Sequence, residues 1–145
     1  GHVDLIANQR TLSDLLTENE PGMLVLVIDD EATIREAMKA LLGNWGHKVV
    51  AAGSLAEALQ AIKQAPNAII ADYRLREGRT GIEAIQKIHQ VWGSNISALI
   101  VTGDTAPELL RETQASGFAF MHKPVSPAKL RAFLRSANRH GSSPH

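Results

Sequence analysis

The segment Ala68-Ile69-Ile70-Ala71-Asp72 is the most informative stretch of the sequence, a short aliphatic run that ends on a carboxylate. A run of this length that is rich in isoleucine predicts a β-strand buried on both faces. An acidic residue at its carboxyl end would lie at the edge of the sheet where open α/β folds place their functional groups. An aspartate after a strand is also common simply because it favours turns, so the other strands must decide between these interpretations.

Four other segments share this aliphatic character, and all five alternate with helical patterns. We predict the further strands over residues 24–28, 48–51, 98–101 and 118–121. Apolar residues recur at helical spacing after each strand, which predicts five helices, the last of them beginning at Ser126-Pro127. Five strands alternating with five helices predict a doubly wound α/β fold, in which one parallel sheet has right-handed crossovers and is covered by helices.

Local signals mark the ends of several predicted helices. Ser54 followed by Glu57, and Thr105 followed by Glu108, each have the spacing of a capping box. In that motif the two side chains hydrogen-bond to the backbone of the first helical turn. Gly117 is the predicted C-cap of the fourth helix. These signals predict helices after the second and the fourth strands.

Composition narrows the class of protein. The 145 residues fit one domain with a sizeable core, and 44% hydrophobic and 21% charged residues are ordinary for a soluble globular protein. Fifteen basic and fifteen acidic residues balance, which gives no electrostatic reason to expect a nucleic-acid partner. The lack of cysteine excludes disulfides and thiolate metal sites. No apolar run approaches the roughly 20 residues of a membrane span and no signal peptide is evident, so we expect a cytoplasmic domain without membrane contact.

The predicted domain covers residues 23–139 and follows the chain break at Pro21-Gly22. Residues 1–22 have a broken apolar pattern that fits either a linker from an upstream region or a short amphipathic helix. The Gly1-His2 start is typical of a cleaved expression sequence, so we expect a fragment of a longer protein. Residues 140–145 are expected to form a disordered tail.

Polar residues end the predicted strands, and in a parallel sheet all of these ends lie at one edge. These residues are Asp29, Asp30, Asp72, Thr102 and Lys123. Neighbouring carboxylates repel by roughly 1–4 kcal/mol per pair at a surface-like dielectric, and a hard cation with oxygen ligands offsets this best. We therefore predict Mg²⁺ bound by Asp30 and Asp72, with Asp29 close by or acting through water. The backbone carbonyl of Arg74 is the predicted further ligand.

A site with Mg²⁺, a lysine and a threonine hydroxyl suits a dianionic phosphoryl group. One carboxylate of such a site can act as a nucleophile and form an aspartyl phosphate. Asp72 is the predicted nucleophile, because it ends the strand between the acidic pair and the threonine–lysine side. Lys123 would pair with the phosphoryl oxygens, and the Thr102 hydroxyl would hydrogen-bond to one of them.

The motifs at the strand ends resemble those of the receiver domain of two-component response regulators, over residues 23 to about 139. These motifs are Val27-Ile28-Asp29-Asp30-Glu31, Ala71-Asp72-Tyr73-Arg74-Leu75, Val101-Thr102-Gly103-Asp104 and Phe120-Met121-His122-Lys123-Pro124. The resemblance implies a flavodoxin-like strand order, 2-1-3-4-5. It also implies that Asp72 accepts phosphate from a phosphohistidine of a histidine kinase or a histidine phosphotransfer domain, with Mg²⁺ required.

The same resemblance assigns further roles. It implies that Thr102 and Phe120 form a switch pair, in which the hydroxyl moves to the phosphate and the aromatic ring rotates inward. It also implies that the Lys123–Pro124 bond is cis. Phenylalanine at position 120 departs from the tyrosine that would offer a phenolic hydroxyl for output. Arg74 and Asp104 would flank the phosphoryl group and tune its hydrolysis, in a direction that the sequence does not fix.

Other functions and contexts stay open at this point. A Mg²⁺-dependent aspartyl phosphatase would need an Asp-x-Asp at the first strand end, whereas Asp29 and Asp30 are adjacent. A receiver-like docking module that is never phosphorylated would not need the complete set of acids, hydroxyl and lysine. The Asp-Tyr-Arg-Leu segment resembles receivers of hybrid sensor histidine kinases, which favours that context over a stand-alone regulator or one separated from its effector. A homodimer is also left open.

Overall fold

The computed structural model describes residues 22–141, and the side chains of residues 22–137. The predictions for residues 1–22 and for the tail at 140–145 concern residues that lie largely outside this range. None of the described helices is both long enough and apolar enough to cross a membrane.

The described chain forms one parallel sheet flanked by helices. Its strands are β1 Leu24–Ile28, β2 Lys48–Ala52, β3 Ala68–Asp72, β4 Ser97–Thr102 and β5 Ala119–His122. Its α-helices are α1 Ala32–Asn44, α2 Leu55–Ala61, α3 Gly81–Trp92, α4 Pro107–Ser116 and α5 Pro127–Gly141. A short 3-10 turn at Arg76–Gly78 follows β3. The strands lie in the order β2-β1-β3-β4-β5, so the predicted fold class and strand order are confirmed.

Both faces of the sheet are buried, which explains the continuous aliphatic strands. Side chains alternate between the faces along each strand. The face under α2, α3 and α4 carries Leu26, Ile28, Ile69 and Ile100. The face under α1 and α5 carries Val25, Val27, Ile70 and Leu99. Two apolar layers therefore hold the sheet rigid, and the strand ends, where the polar residues lie, form its functional edge.

Two helix starts have side-chain caps, one of them partial and the other complete. At Ser54 the hydroxyl accepts the Glu57 N–H at 3.2 Å, but the Glu57 carboxylate accepts the N–H of Gly53 at 2.8 Å, so only half of the predicted box forms. At the start of α3 the box is complete: the Thr80 hydroxyl accepts the Glu83 N–H and the Glu83 carboxylate accepts the Thr80 N–H. This second box was not predicted.

The predicted capping box at Thr105 and Glu108 was wrong. Helix α4 begins at Pro107, and its N-cap is Ala106, which has no side-chain cap. The Asp104 carboxylate accepts the Ala106 N–H at 2.9 Å, and proline at the first helical position needs no acceptor for an N–H. The helix therefore starts later than the Thr-x-x-Glu spacing suggests.

The fifth strand is shifted by one residue from its prediction. It covers Ala119–His122 because Gly117, the predicted C-cap of α4, adopts a left-handed conformation with φ of 80°. Thr102 pairs in register with His122. Lys123 therefore lies immediately beyond the sheet, next to the end of β4.

Candidate functional site

The predicted functional residues lie at the carboxyl edge of the described sheet. Asp29 follows β1, Asp72 ends β3, Thr102 ends β4, and Lys123 follows β5. Because the strands are parallel, these residues all lie at the same edge. The structure thus brings to one edge the residues that the sequence analysis assigned to one site.

Lys123 is the centre of the site. Its Nζ lies 3.0 Å from Oδ2 of Asp72 and 3.5 Å from Oδ2 of Asp29. The Lys123 N–H donates to the carbonyl oxygen of Thr102 at 2.8 Å, and the Lys123–Pro124 peptide bond is cis, as the resemblance implied. The side chains of Asp29 and Asp72 are only 5% and 11% exposed, so the ammonium and both carboxylates form a largely buried ionic group.

The two carboxylates share one ammonium, and the pKa values of Asp72 and Lys123 respond to this. Burial raises the pKa of Asp72, the hydrogen bond from Lys123 opposes the increase, and the charge of Asp29 adds to it. Burial by itself lowers the pKa of Lys123, but the hydrogen bond to Asp72 and the charges of both aspartates raise it overall. The group therefore holds more negative charge than the ammonium neutralises, a condition that a divalent cation would relieve.

Three consecutive acids after β1 form an acidic group, Asp29, Asp30 and Glu31, with one carboxylate oxygen of each within 4.8 Å of the others. Oδ1 of Asp29 accepts the N–H of Glu31 at 2.9 Å, which holds this turn together. Asp72 lies outside the group but is linked to Asp29 through Lys123. Hard carboxylate oxygens are the donors that Mg²⁺ prefers, so the residues fit this cation. Glu31 was not among the predicted ligands, although it continues the acidic run.

Arg74 and Asp104 form an ion pair at the entrance to the site. Each lies two residues beyond a strand end, Arg74 after Asp72 and Asp104 after Thr102. The hydrogen bond to Asp104 raises the pKa of Arg74, and the same bond lowers the pKa of Asp104. The backbone N–H of Arg74 also stabilises the ionised form of Asp72 and so opposes the increase in its pKa. The role predicted for the Arg74 carbonyl, as a cation ligand, stays a prediction.

The predicted switch residues lie on neighbouring strands. Thr102 is 2% exposed, and its hydroxyl accepts the N–H of Asp104 at 3.0 Å. Phe120 pairs in register with Ile100 and packs, partly buried, against the apolar cluster under α2, α3 and α4. Its ring meets that of His122 edge to face, with 4.7 Å between the centroids. The switching role of Thr102 and Phe120 stays a prediction.

Contacts with α3 and α4 support the segment Asp72-Tyr73 at the end of β3. The hydroxyl of Tyr73 donates to Glu112 on α4, and this bond, with burial, raises the pKa of Tyr73 to about 12. The N–H of Gly81 donates to the carbonyl oxygen of Tyr73 at 2.7 Å. A Cβ at Gly81 would clash with the carbonyl oxygen of Asp72, so the close approach of α3 to β3 requires glycine there. None of these three contacts was predicted.

An apolar cavity of about 480 Å³ adjoins the ionic group. It lies between α1 and the segment that follows β5, and Asp29, Asp72 and Lys123 form its polar end. Ile34 and Met38 on α1 are among its apolar lining residues. Much of the apolar lining, including Ile28, Met38 and Ile70, belongs to the buried core.

A model of the response regulator receiver domain matches residues 25–135 of the chain. The sensory/regulatory protein RpfC of Xanthomonas campestris pv. campestris is 29% identical over 114 residues, which are 75% of this chain and 16% of RpfC. The response regulator protein PilR of Pseudomonas aeruginosa is 29% identical over 115 residues, 79% of this chain and 26% of PilR. The chain thus spans only a minor part of the length of these relatives.

Solved structures show the same architecture. A CheY-like response regulator receiver domain protein from Methanospirillum hungatei JF-1 superposes with a TM-score of 0.73 at 24% identity, covering 83% of this chain and 97% of that one. The Vibrio cholerae chemotaxis protein CheY4 gives a TM-score of 0.70 at 29% identity, covering 80% of this chain and 98% of its own. The likeness extends over nearly the whole of each neighbour.

Proposed function

The chain belongs to the response regulator receiver domain family, and on this premise we propose that Asp72 is its phosphoacceptor. In this proposal Asp72 receives a phosphoryl group from a phosphohistidine of a histidine kinase or a histidine phosphotransfer domain. The domain then regulates a partner or an attached domain. A receiver is a signalling domain of two-component systems, and the reactions proposed for it are its own phosphorylation and dephosphorylation.

One observation carries the proposal: Asp72 ends β3 with its carboxylate 3.0 Å from the Lys123 ammonium and beside a second buried carboxylate, Asp29. A carboxylate used only for structure would need the lysine but not the second acid, whose charge raises the pKa of Asp72. The cost of this repulsion is accounted for if a cation and a phosphoryl group complete the site.

In the proposed reaction a carboxylate oxygen of Asp72 attacks the phosphorus of the phosphohistidine. A P–O bond forms and the P–N bond breaks, and the imidazole nitrogen keeps the electron pair and takes up a proton. Lys123 then moves from sharing two carboxylates to pairing with a phosphoryl oxygen. Its fixed charge stabilises the negative charge that develops on the transferring group.

The carboxylates of Asp29, Asp30 and Asp72 and the backbone carbonyl of Arg74 would hold Mg²⁺. The acidic group supports this assignment and adds Glu31 as a neighbouring donor. When bound, Mg²⁺ would neutralise charge on the carboxylates and the phosphoryl oxygens. The residues of the chain hold the nucleophile in place and exclude bulk water from its buried side.

The switch is proposed to act through Thr102 and Phe120. The Thr102 hydroxyl now accepts the N–H of Asp104, and phosphorylation would draw it to a phosphoryl oxygen instead. The Phe120 ring would then leave its edge contact with His122 and rotate into the space behind Thr102. Phosphorylation needs several kcal/mol of differential stabilisation to convert a mostly inactive population into a mostly active one.

The wider context is also a proposal. The similarity to the sensory/regulatory protein RpfC and the Asp-Tyr-Arg-Leu segment support a receiver attached to a hybrid histidine kinase. The apolar cavity beside Lys123 supports docking of a phosphodonor's helices across α1. We place the domain in the cytoplasm without membrane or nucleic-acid contact.

Intact mass spectrometry after incubation with acetyl phosphate tests the proposal. We expect one phosphoryl adduct that forms with Mg²⁺, is suppressed by a chelator, and is absent from Asp72→Asn. Glu36→Gln is the matched control, because it removes an exposed carboxylate that lies outside the site. A Mg²⁺-dependent adduct that persists in Asp72→Asn would refute the assignment. No adduct with either acetyl phosphate or a phosphorylated histidine domain would favour a docking module.

A further inference from the structure

Two arginine side chains from different parts of the chain reach the backbone of the acidic pair. Arg35, in the first turn of α1, donates from Nη1 to the carbonyl oxygen of Asp29 at 2.7 Å. Arg76, in the turn after β3, donates from Nη2 to the carbonyl oxygen of Asp30 at 3.4 Å, a longer and weaker contact. Guanidinium groups thus hold the peptide groups of two residues whose carboxylates belong to the acidic group.

A third side chain closes this arrangement. Glu57 of α2 accepts the N–H of Gly53 at 2.8 Å through Oε1, and its Oε2 lies 3.8 Å from Nη1 of Arg76. A Cβ built on Gly53 would lie 3.1 Å from Nη1 of Arg35, 3.2 Å from Oε1 of Glu57 and 3.3 Å from Nη2 of Arg76. The three side chains therefore meet at position 53, where glycine leaves them room.

We propose that Arg35 and Arg76, the second of which Glu57 contacts, are positioning residues for the carboxylates that bind the cation. This inference rests on the proposed Mg²⁺ site. Arg35 fixes the turn after β1, and Arg76 ties that turn to the loop after β3, which carries Arg74. The network thereby joins the segments that supply the proposed ligands on the two sides of the site.

If the two arginines acted only through their charge, their removal would change the Mg²⁺ affinity in the opposite direction, which makes the inference testable. A guanidinium near a cation site repels the cation, so removal of an arginine that acted only through its charge would tighten Mg²⁺ binding. Removal of a positioning residue weakens binding, typically by 10- to 100-fold for groups that orient metal ligands. The Gly53→Ala substitution separates the two effects, because it shifts the ends of these three side chains by a few tenths of an ångström without changing any charge.

Isothermal titration calorimetry with Mg²⁺ on the full chain compares the variants. We expect affinity to fall roughly tenfold in Arg35→Ala and by a smaller factor in Arg76→Ala and Gly53→Ala, with partial recovery in Arg35→Lys. Arg79→Ala is the control, since Arg79 lies on the same loop and, within the described residues, its side chain makes no hydrogen bond to the acidic pair. Equal or tighter binding in Arg35→Ala and Arg76→Ala, with Gly53→Ala unchanged, would overturn the proposal.

A measurement without metal separates this proposal from the proposed function. The Glu31 N–H donates to Oδ1 of Asp29 at 2.9 Å, and its hydrogen exchange, followed by NMR in metal-free buffer, reports on the turn. We expect faster exchange in Arg35→Ala and Gly53→Ala but not in Arg79→Ala. If the wild-type chain bound no Mg²⁺, the proposed function would fail while this result still decided the positioning role. Exchange at the wild-type rate in both folded variants would refute it.

Discussion

The ammonium group of Lys123 lies 3.0 Å from a carboxylate oxygen of Asp72, although 51 residues separate the two along the chain. The same ammonium also contacts Asp29. One cation therefore serves two buried carboxylates, and a phosphoryl group that arrives at Asp72 would meet a lysine already in place.

Replacement of Lys123 should slow the phosphorylation of Asp72 in a chain that still folds. Loss of a fixed charge that stabilises a transferring group costs on the order of 10²- to 10³-fold in rate. We expect Lys123→Ala to show such a loss in the rate of adduct formation with acetyl phosphate, measured by intact mass. Lys129→Ala, on the exposed side of α5, should retain the wild-type rate. A Lys123→Ala variant that reacts as fast as the wild type would exclude Lys123 from the reaction.

Asp30→Asn should stabilise the metal-free protein and weaken its binding of Mg²⁺. The substitution removes one charge from an acidic group whose members lie within 4.8 Å of each other. Repulsion of roughly 1 kcal/mol or more per pair exceeds the smaller gain from a carboxylate near the start of α1. We expect the free energy of unfolding, from urea titration with a chelator, to rise by about 1 kcal/mol.

The control for Asp30→Asn is Glu36→Gln, which removes a carboxylate from an exposed pair with Lys39. Such pairs contribute little, so its stability should barely change. Added Mg²⁺ should narrow or reverse the difference in the free energy of unfolding between Asp30→Asn and the wild type. A metal-free Asp30→Asn variant that is less stable than the wild type would contradict repulsion within the acidic group.

The ion pair of Arg74 and Asp104 predicts whether substitution of either residue lengthens or shortens the lifetime of the phosphate, a direction that the sequence left open. Arg74 is now bound to Asp104, and Asp72 is among the charges that it senses. Asp104→Asn would free Arg74 to pair with the phosphoryl group. We expect this variant to keep its phosphate about two to five times longer, and Arg74→Ala to lose it faster. Decay of the adduct after removal of the donor measures both, and a shorter lifetime in Asp104→Asn would contradict the mechanism.

The residues at the strand ends could be predicted because topology alone decides their place. Once the alternation of strands and helices is clear, Asp29, Asp72 and Lys123 must share an edge whatever their side chains do. The bonds from Arg35 to the Asp29 carbonyl and from Tyr73 to Glu112 could not be predicted. They join distant segments through particular rotamers and loop conformations, for which the sequence carries no periodic signal.

Local rules failed where two signals competed. Thr105 has the correct spacing to Glu108 for a capping box, but the Asp104 carboxylate binds the Ala106 N–H and Pro107 opens the helix. The same spacing at Thr80 and Glu83 does form a box. The spacing alone is therefore insufficient for this cap, and the neighbouring residues determine whether it forms.

Gly81→Ala and Gly43→Ala should change stability in opposite directions. A Cβ at position 81 would clash with the carbonyl oxygen of Asp72, and backbone cannot move as cheaply as a side chain. We expect a loss of about 1–3 kcal/mol in the free energy of unfolding, with slower phosphorylation of the displaced Asp72. Position 43, in α1, has no atom within 4 Å of a built Cβ, so alanine should stabilise by up to about 1 kcal/mol. Equal effects at both positions would contradict the close approach at Gly81.

The bond from Tyr73 to Glu112 should make stability depend on pH in the alkaline range. The pKa of Tyr73 is raised from 10.0 to about 12 in the folded chain. As the pH rises, the unfolded chain therefore loses the phenolic proton first. The contribution of Tyr73 is therefore complete below pH 10 and is lost as the pH rises toward 12. Tyr73→Phe should unfold about 1 kcal/mol more easily at neutral pH. Urea titrations at increasing pH should show this difference shrinking above pH 10, and because tyrosine occurs once in the chain, its absorbance can be followed alongside. A difference that stays constant through this range would mean that Tyr73 is not held by the bond to Glu112.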